Sequence, residues 1–188
     1  MELIQKIGPT AIKVGQALSV RPDLIPSEYS TALSSLQDRV PPFPSDEAKR
    51  MLNDQLGPIK MNQFSQINLD EPVASASIGQ VYKATAIVED ENTKKNVEKE
   101  VAIKIQRPNV MAEIALDLYI VREFAPIYQA ITRSSTDLQQ LANEWGRGFI
   151  GELTYEAEAI ATKNFNDEMK KRNLAAITAP IVVDDLVR

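Results

Sequence analysis

The stretch that decides the fold runs from Pro72 to Pro108 and reads PVASASIGQVYKATAIV, EDENTKKNVEKE, VAIKIQRP. Its first and third parts are rich in β-branched and apolar residues, whereas the part between them is polar and dense in charge. Two such runs on either side of a polar loop predict an antiparallel hairpin, with strands at roughly 72–88 and 100–107.

Two features of this hairpin suit a bound phosphate. The first strand opens with small residues, Ala74 to Ser77, and reaches Gly79, while the second carries Lys104 inside an apolar run. In kinase-type folds, a turn of small residues offers backbone N–H groups to the phosphates of a nucleotide, and a strand lysine supplies positive charge. Each feature by itself is also typical of an ordinary strand with a solvated lysine.

The composition excludes several kinds of binding and catalytic site. The 188 residues carry a net charge of −5, which argues against a nucleic-acid-binding surface. The chain has neither cysteine nor histidine, which excludes disulfides, thiol catalysis, Ser–His–Asp catalysis and Cys- or His-ligated metals. The sequence contains no window of about 18 apolar residues, so no transmembrane helix is predicted. The chemistry left open uses carboxylates, lysine, hydroxyls, amides or a bound nucleotide.

Around the hairpin the periodicity predicts helices, a short helix near Phe64 and a strand over 179–183 that joins the hairpin in a small antiparallel sheet. The fold class is therefore α+β. The predicted helices span roughly 2–20 with an interruption at Pro9, 28–38, 46–56, 109–133, 138–149 and 151–173. Because a strand-like run lies just before Arg188, we expect the chain to be part of a longer protein.

Charged residues outside the hairpin supply candidate partners. A strand lysine that binds a nucleotide needs a carboxylate to hold it, and Glu152, Glu156 and Glu158 lie on the last predicted helix. On one helix Glu152 and Glu156 are neighbours, while Glu158 lies roughly 120° or more away. Lys13 and Gln16 share another helix face, beside Gly15. Each of these residues is also typical of a solvated helix surface.

Several longer motifs follow one another along almost the whole chain. They are Lys13-Val14-Gly15-Gln16 (KxGQ), Ser19–Pro26 (SxRPDxxP), Leu36–Pro42 (LQDxVPP), the alanine-rich loop Ala74–Tyr82, the lysine strand Val101–Pro108, and Asn143–Trp145 with Glu152–Tyr155 and Glu158-Ala159. In this order they resemble the UbiB family of atypical kinase-like ATPases, which is tied to isoprenoid-quinone biosynthesis and lipid metabolism. Residues 106–122 and 143–158 look most like plastid and cyanobacterial members.

The resemblance implies a helical KxGQ extension over 1–60 and a kinase-like N-lobe, incomplete as a domain, over 61–188. It implies that Lys104 and Glu158 are a catalytic pair, the lysine contacting the α- and β-phosphates and the glutamate holding it. Lys13, Gly15 and Gln16 would form a regulatory group with Glu152 as its partner, which predicts a Lys13–Glu152 contact. The implied nucleotide-binding residues are Ala74, Ser75, Ala76, Ser77, Ile78, Gly79, Val81, Ala102 and Lys104.

The implied cofactor is ATP or ADP with Mg²⁺. No metal ligand is expected within this chain, because in this fold the catalytic-loop and metal-binding acids belong to a C-terminal lobe. One motif departs from the family, since Glu152-Leu153-Thr154 stands where Glu-x-Asp is usual and Thr154 lacks the acid's charge and metal affinity. The implied partners are a nucleotide and a membrane surface or lipid- and quinone-related proteins, without nucleic acid, in a plastid or mitochondrion.

Three functions are compatible with these patterns. The first is the N-terminal part of a kinase-like ATPase; whether the chain alone is an enzyme stays open. The second is a non-catalytic, pseudokinase-like binding module, if the protein ends at residue 188. The third is a protein kinase, which the alanines and serines of Ala74–Ser77 and the KxGQ extension disfavour.

Overall fold

The computed structural model describes residues 2–36, 40–90, 94–133, 137–174 and 176–188. Its strands are β1 (Phe64–Ile67), β2 (Ala74–Ser75), β3 (Gly79–Glu89) and β4 (Asn96–Gln106). Its helices are α1 (Glu2–Ile7), α2 (Pro9–Ser19), α3 (Ser27–Ser34), α4 (Ser45–Met61), α5 (Val110–Thr132), α6 (Leu138–Leu153) and α7 (Tyr155–Lys171), and a 3₁₀ turn covers Asp184–Leu186. The α+β class predicted from the sequence is confirmed.

Strand β3 is the centre of a small antiparallel sheet. Along one side it pairs with β4 over its whole length, from Gly79 opposite Gln106 to Glu89 opposite Asn96. Along the other side it pairs first with β2 and then with β1. The predicted hairpin is therefore present, and its strands extend further into the charged insert than predicted; residues 91–93 lie outside the described part.

Two predictions about the sheet are wrong. Residues Phe64–Ile67 form strand β1 rather than a short helix, because their backbone pairs with β3 at Ala84 to Ala86. The segment 179–183 forms no strand; instead the side-chain amide of Asn166 on α7 accepts from the Ala179 N–H at 2.8 Å and donates to its carbonyl at 3.2 Å. A segment rich in valine is thus held by a helix side chain.

The apolar faces close around three clusters among the described residues. The first packs α4 against the sheet, the second packs the loop after β2 against α5 and α6, and the third holds α2 against the segment that follows α3. Their buried members are, in that order, Phe43, Ala48, Leu52, Leu56, Leu69, Tyr82 and Ile105; Ile78, Val110, Ile114, Phe149 and Leu153; and Ile12, Leu36 and Val40. Ile78 therefore anchors the alanine-rich loop to the helices.

Breaks between helices decide which side chains reach the sheet. Gly8, at φ +130°, separates α1 from α2, which confirms the interruption predicted near Pro9. Thr154, at φ −91° and ψ 89°, ends α6 and begins α7. The prediction of one helix over 151–173 is therefore wrong, and Glu152 and Glu156 lie on different helices. By contrast, α5 continues through Pro126.

The extension follows its predicted helical pattern, with two qualifications. Helix α3 ends at Ser34, and Gln37 to Arg39 of the LQDxVPP motif lie outside the described residues. Helix α4 contains a kink at Gly57, whose φ of +67° suits glycine, and continues to Met61. Within the part of the chain that the structure describes, no helix is long and apolar enough to cross a membrane.

Candidate functional site

The strand lysine and its predicted glutamate are in contact. Lys104 Nζ on β4 lies 2.6 Å from Glu158 Oε2 on α7, one turn after the break at Thr154. The two side chains are 39% and 54% exposed, so water screens their attraction. The contact predicted from the sequence is confirmed, and an exposed pair leaves the ammonium available to an anionic ligand.

The ring of Tyr155 forms a second contact with Lys104. The lysine Nζ lies 4.6 Å from the ring centroid, within the range of a cation–π interaction. The tyrosine is the first residue of α7, and its hydroxyl is buried against the start of β3. A Cβ at Gly79 would lie only 2.6 Å from that hydroxyl and 2.7 Å from the Ile105 carbonyl oxygen. Glycine is therefore required where the loop enters β3.

The alanine-rich loop is fixed from behind by Arg107, the residue after β4. Its Nε donates to the Ala76 carbonyl at 2.9 Å and its backbone N–H to the Ile78 carbonyl at 2.8 Å. Its Nη2 donates to Ser75 Oγ at 3.1 Å and to the Pro41 carbonyl at 2.5 Å. Burial lowers the pKa of Arg107, and its guanidinium lies over the ring of Phe43.

These bonds orient the loop. In a trans peptide the carbonyl and the N–H of the next residue point in opposite directions, and the structure has no cis peptide among its described residues. Since the Ala76 carbonyl points at Arg107, the Ser77 N–H points away from it. The loop thus keeps its carbonyls on the arginine and directs an N–H donor elsewhere.

Lys13 on α2 contacts Glu152 at the end of α6, as predicted from the sequence. The lysine side chain is 10% exposed and the glutamate 53%. Burial lowers the pKa of Lys13, and the charge of Lys104 lowers it further. Both lysines line one cleft, which is why the charge of Lys104 acts on Lys13.

The other KxGQ residues have different surroundings. Gln16 donates from Nε2 to the Leu36 carbonyl at 2.8 Å, and its Oε1 lies 3.5 Å from Ser77 Oγ of the alanine-rich loop. Gly15 lies against Leu36, whose Cδ1 would be 2.6 Å from a Cβ at position 15. Gly15 thus permits close packing of the extension, whereas Gln16 approaches the loop.

A cleft of about 410 Å³ brings most of the predicted residues together. Its lining is Lys13, Gln16, Ala74, Ala76, Ser77, Ile78, Gly79, Val81, Lys104 and Glu152. Four predicted residues lie outside this lining. Ser75 binds Arg107, Gly15 packs on Leu36, Glu158 binds Lys104 from α7, and Ala102 lies two residues before Lys104 on the same face of β4.

The cleft suits an anion better than a metal ion. Two ammonium groups line it, and the carboxylates nearest to them, Glu152 and Glu158, are each bound to a lysine. Within the described ranges, no group of three or more acidic side chains could hold a metal ion. The charges and the small residues of the loop favour a ligand with phosphate-like oxygens.

Sequence reasoning missed three residues that build this site. Arg107 and Tyr155 fell inside quoted motifs but received no role. Gln80 is fully buried and pairs with the backbone N–H and carbonyl of Phe43 at 3.1 Å each, which ties the segment before α4 to β3. A glutamine inside an apolar strand was the available signal, since a buried amide needs partners.

Comparisons with known proteins show which family the chain resembles. The family model described as the ABC1 atypical kinase-like domain matches residues 35–188. A chloroplastic aarF domain-containing protein kinase of Arabidopsis thaliana, itself uncharacterized, is 41% identical over 158 residues, which is 84% of this chain and 22% of the relative. The chloroplastic protein ACTIVITY OF BC1 COMPLEX KINASE 1 of the same plant is 35% identical over 170 residues, 89% and 24% of the two chains.

A bacterial relative gives the same result. The probable protein kinase UbiB of Shewanella frigidimarina is 36% identical over 159 residues, which is 84% of this chain and 27% of the relative. The chain thus spans about a quarter of the length of these curated relatives. From the family match, the ordered motifs and the lysine–glutamate pair beside an alanine-rich loop, the chain belongs to the ABC1/UbiB family of atypical kinase-like domains.

Proposed function

We propose that this chain binds the phosphates of ATP or ADP and is the nucleotide-binding, N-terminal part of a kinase-like ATPase. The observation that carries the proposal is the position of Lys104, which is held by Glu158 and shares one cleft with the alanine-rich loop. Lys104 binds the α- and β-phosphates, and loop N–H groups, that of Ser77 among them, bind the same phosphates from the other side.

The exposure of the lysine pair supports this assignment. Because Lys104 and Glu158 are about half exposed, their ion pair contributes little to stability, and the lysine can also bind a phosphate at small cost. The Ala74–Gly79 loop brings backbone close to the ligand through small side chains. Its alanines and serines make it stiffer than a glycine loop, since they lose easy access to positive φ.

Magnesium enters this proposal only with the nucleotide. The acids beside the cleft are engaged by lysines, and the described residues offer no cluster of acids for a metal ion. We therefore assign no metal ligand among the described residues. Mg²⁺ supplies charge neutralisation on the phosphates when it is bound with them, while Lys104 and the loop amides of this chain orient the nucleotide.

Calorimetric titration with Mg·ADP and Mg·ATP tests the proposal. We expect Lys104→Ala to weaken binding at least about tenfold, which is ~1.4 kcal/mol. The matched control is Lys49→Ala, which removes a pair with Asp70 at 43% and 74% exposure on α4, the helix that packs against the opposite face of the sheet. Equal affinity in the wild type and Lys104→Ala, or equal losses in both variants, would exclude the assigned role of Lys104.

Turnover distinguishes an enzyme from a binding module. We propose that the protein of which this chain is part hydrolyses the nucleotide, and that this chain alone binds without turnover. Phosphate release measured on the chain and on the full gene product decides between them. Nucleotide binding without turnover in both favours the non-catalytic module, and phosphate transfer to a protein substrate favours a protein kinase.

The resemblance extends the proposal to metabolism and location. We propose a role in isoprenoid-quinone or lipid metabolism in a plastid, because two similar relatives are chloroplastic and another comes from Synechocystis. A gene deletion should change the prenylquinone profile, and the full gene should restore it while its Lys104→Ala form does not. An unchanged profile in the deletion strain would contradict this extension, without affecting nucleotide binding.

A further inference from the structure

Tyr155 lies between the strand lysine and the alanine-rich loop, although it does not line the cleft. Its ring lies beneath Lys104, with the lysine Nζ 4.6 Å from the ring centroid. Its hydroxyl is aimed at Gly79, where a Cβ would approach it to 2.6 Å. One side chain therefore contacts both the strand lysine and the point where the alanine-rich loop enters β3.

The hydroxyl makes no hydrogen bond within the described part of the chain, although it is fully shielded from solvent. Burial raises the pKa of Tyr155, and the charge of Glu158 raises it further, so the phenol stays neutral at physiological pH. A neutral phenol cannot form an ion pair with Lys104. The interaction must therefore run through the face of the ring, which attracts cations.

Helix α7 needs such an anchor. It spans 17 residues and none of them is fully buried. Its link to the lysine through Glu158 joins two side chains that water reaches, and exposed pairs of this kind fix geometry poorly. The half-buried ring of Tyr155, at the first position of α7, supplies a further contact with the sheet, and its hydroxyl end is shielded from solvent.

We propose that Tyr155 is a positioning residue that holds Lys104 over the face of its ring. The proposal rests on the nucleotide site proposed above for its functional meaning, but not for its geometry.

The geometric part is tested without nucleotide, by NMR of protein labelled with ¹³C at the lysine Cε. Protons held over an aromatic face are shifted upfield by the ring current, so the Lys104 signal, assigned with Lys104→Arg, should lie upfield of the other lysines. Tyr155→Phe keeps the ring and removes only an unpartnered hydroxyl, so the shift should persist. Tyr155→Leu should abolish it while the other lysine signals stay in place.

Glu158→Gln provides a second check that does not disturb the ring. If the ring holds the lysine, the upfield shift persists in this variant. A Lys104 signal that lies among the other lysines in the wild type, or that is unchanged in Tyr155→Leu, overturns the proposal. Loss of the shift in Glu158→Gln also overturns it, because the ion pair alone would then place the lysine.

The functional part is read from Mg·ADP affinity. Tyr155→Leu should weaken binding about three- to tenfold, and Tyr155→Phe should stay within about twofold of the wild type. An equal loss in both variants, or none in either, contradicts the positioning role. If the wild type does not bind Mg·ADP while the ring-current pattern is as expected, the proposed function fails and the coupling of Tyr155 to Lys104 stands.

Discussion

The two lysine–glutamate pairs of the site have the same chemistry and opposite surroundings. Lys13, on the helical extension, is 10% exposed, and Lys104, on the sheet, is 39% exposed, while their glutamates are about half exposed in both pairs. A buried ammonium cannot lose its partner without a large desolvation penalty, whereas an exposed one can. We therefore expect the loss of Glu152 to lower stability, and we expect Lys104 to be able to exchange its partner for a ligand.

The largest expected effect is on the buried pair. Glu152→Gln should lower the free energy of unfolding by about 2 kcal/mol, because Lys13 is left buried beside a neutral amide. The figure lies below the about 3–5 kcal/mol of a fully buried pair, since Glu152 is half exposed. Urea denaturation measures it.

Glu144→Gln is the control for this variant, because it breaks an exposed pair with Arg147 on the same helix and should cost less than about 0.5 kcal/mol. Equal losses in the two variants would show that the burial of Lys13 has no energetic weight, and the comparison of the two pairs would fail.

Breaking the exposed pair should weaken nucleotide binding rather than lower stability. Glu158→Gln should change the free energy of unfolding by about 0.5 kcal/mol or less, because solvent already screens the contact. The same variant should weaken Mg·ADP binding severalfold, since Lys104 loses one of the two side chains that position it. Urea denaturation and calorimetric titration on one preparation measure both; a stability loss as large as that of Glu152→Gln would contradict the expectation.

A smaller effect is expected at Thr154, which separates the two glutamates. Thr154 occupies the N-cap of α7 without a side-chain capping bond. Thr154→Asp should raise the free energy of unfolding by about 0.5 kcal/mol, because a carboxylate caps the helix and complements its dipole. Thr154→Asn can cap the helix without adding a negative charge, so it distinguishes the contribution of capping from that of the charge. A loss of stability in Thr154→Asp would indicate that repulsion from neighbouring acids dominates.

The smallest expected effect is the electrostatic link between the pairs. Burial is the first cause of the lowered pKa of Lys13 and the charge of Lys104 the second, so Lys104→Met should raise that pKa part of the way toward 10.5. A base whose folded pKa is lowered gains stability as pH rises from that value to its unfolded one. The gain should therefore begin at a higher pH in Lys104→Met.

Titration of the Lys13 Cε signal by NMR measures this shift, with Lys83→Met as the control, since Lys83 is not among the causes of the lowered Lys13 pKa. An unchanged Lys13 pKa in Lys104→Met would mean that the two pairs are electrostatically independent.

The resemblance of the ordered motifs to a family was sufficient to predict two contacts, whereas charge and helix spacing alone left Glu152, Glu156 and Glu158 open as partners of Lys104. Lys104 with Glu158 and Lys13 with Glu152 were both expected, and both are present. What the sequence could not predict depends on a partner that is remote along the chain. Phe64–Ile67 is a strand because it pairs with the edge of β3 at Ala84–Ala86. The run at 179–183 is not a strand, because the backbone N–H of Ala179 binds the side chain of Asn166 instead of a neighbouring strand.

The helix break at Thr154 was missed for a local reason. The residues on both sides have good helix propensity, and a single threonine is no strong breaker. The break separates Glu152 from Glu156 and turns α7 so that Tyr155 and Glu158 reach β4. Tyr155 and Arg107 received no role because their contacts are with backbone and ring faces, which leave no pattern in the sequence.

The hydrogen bonds of Arg107 affect how the chain folds. Its bond to the Pro41 carbonyl joins residues 66 positions apart, and the pairing of Gln80 with Phe43 joins residues 37 apart. Such closures cost loop entropy before any contact repays it, and they slow folding. The alanine-rich loop should therefore be among the last parts to reach its final conformation during refolding, after the extension and the sheet have come into contact.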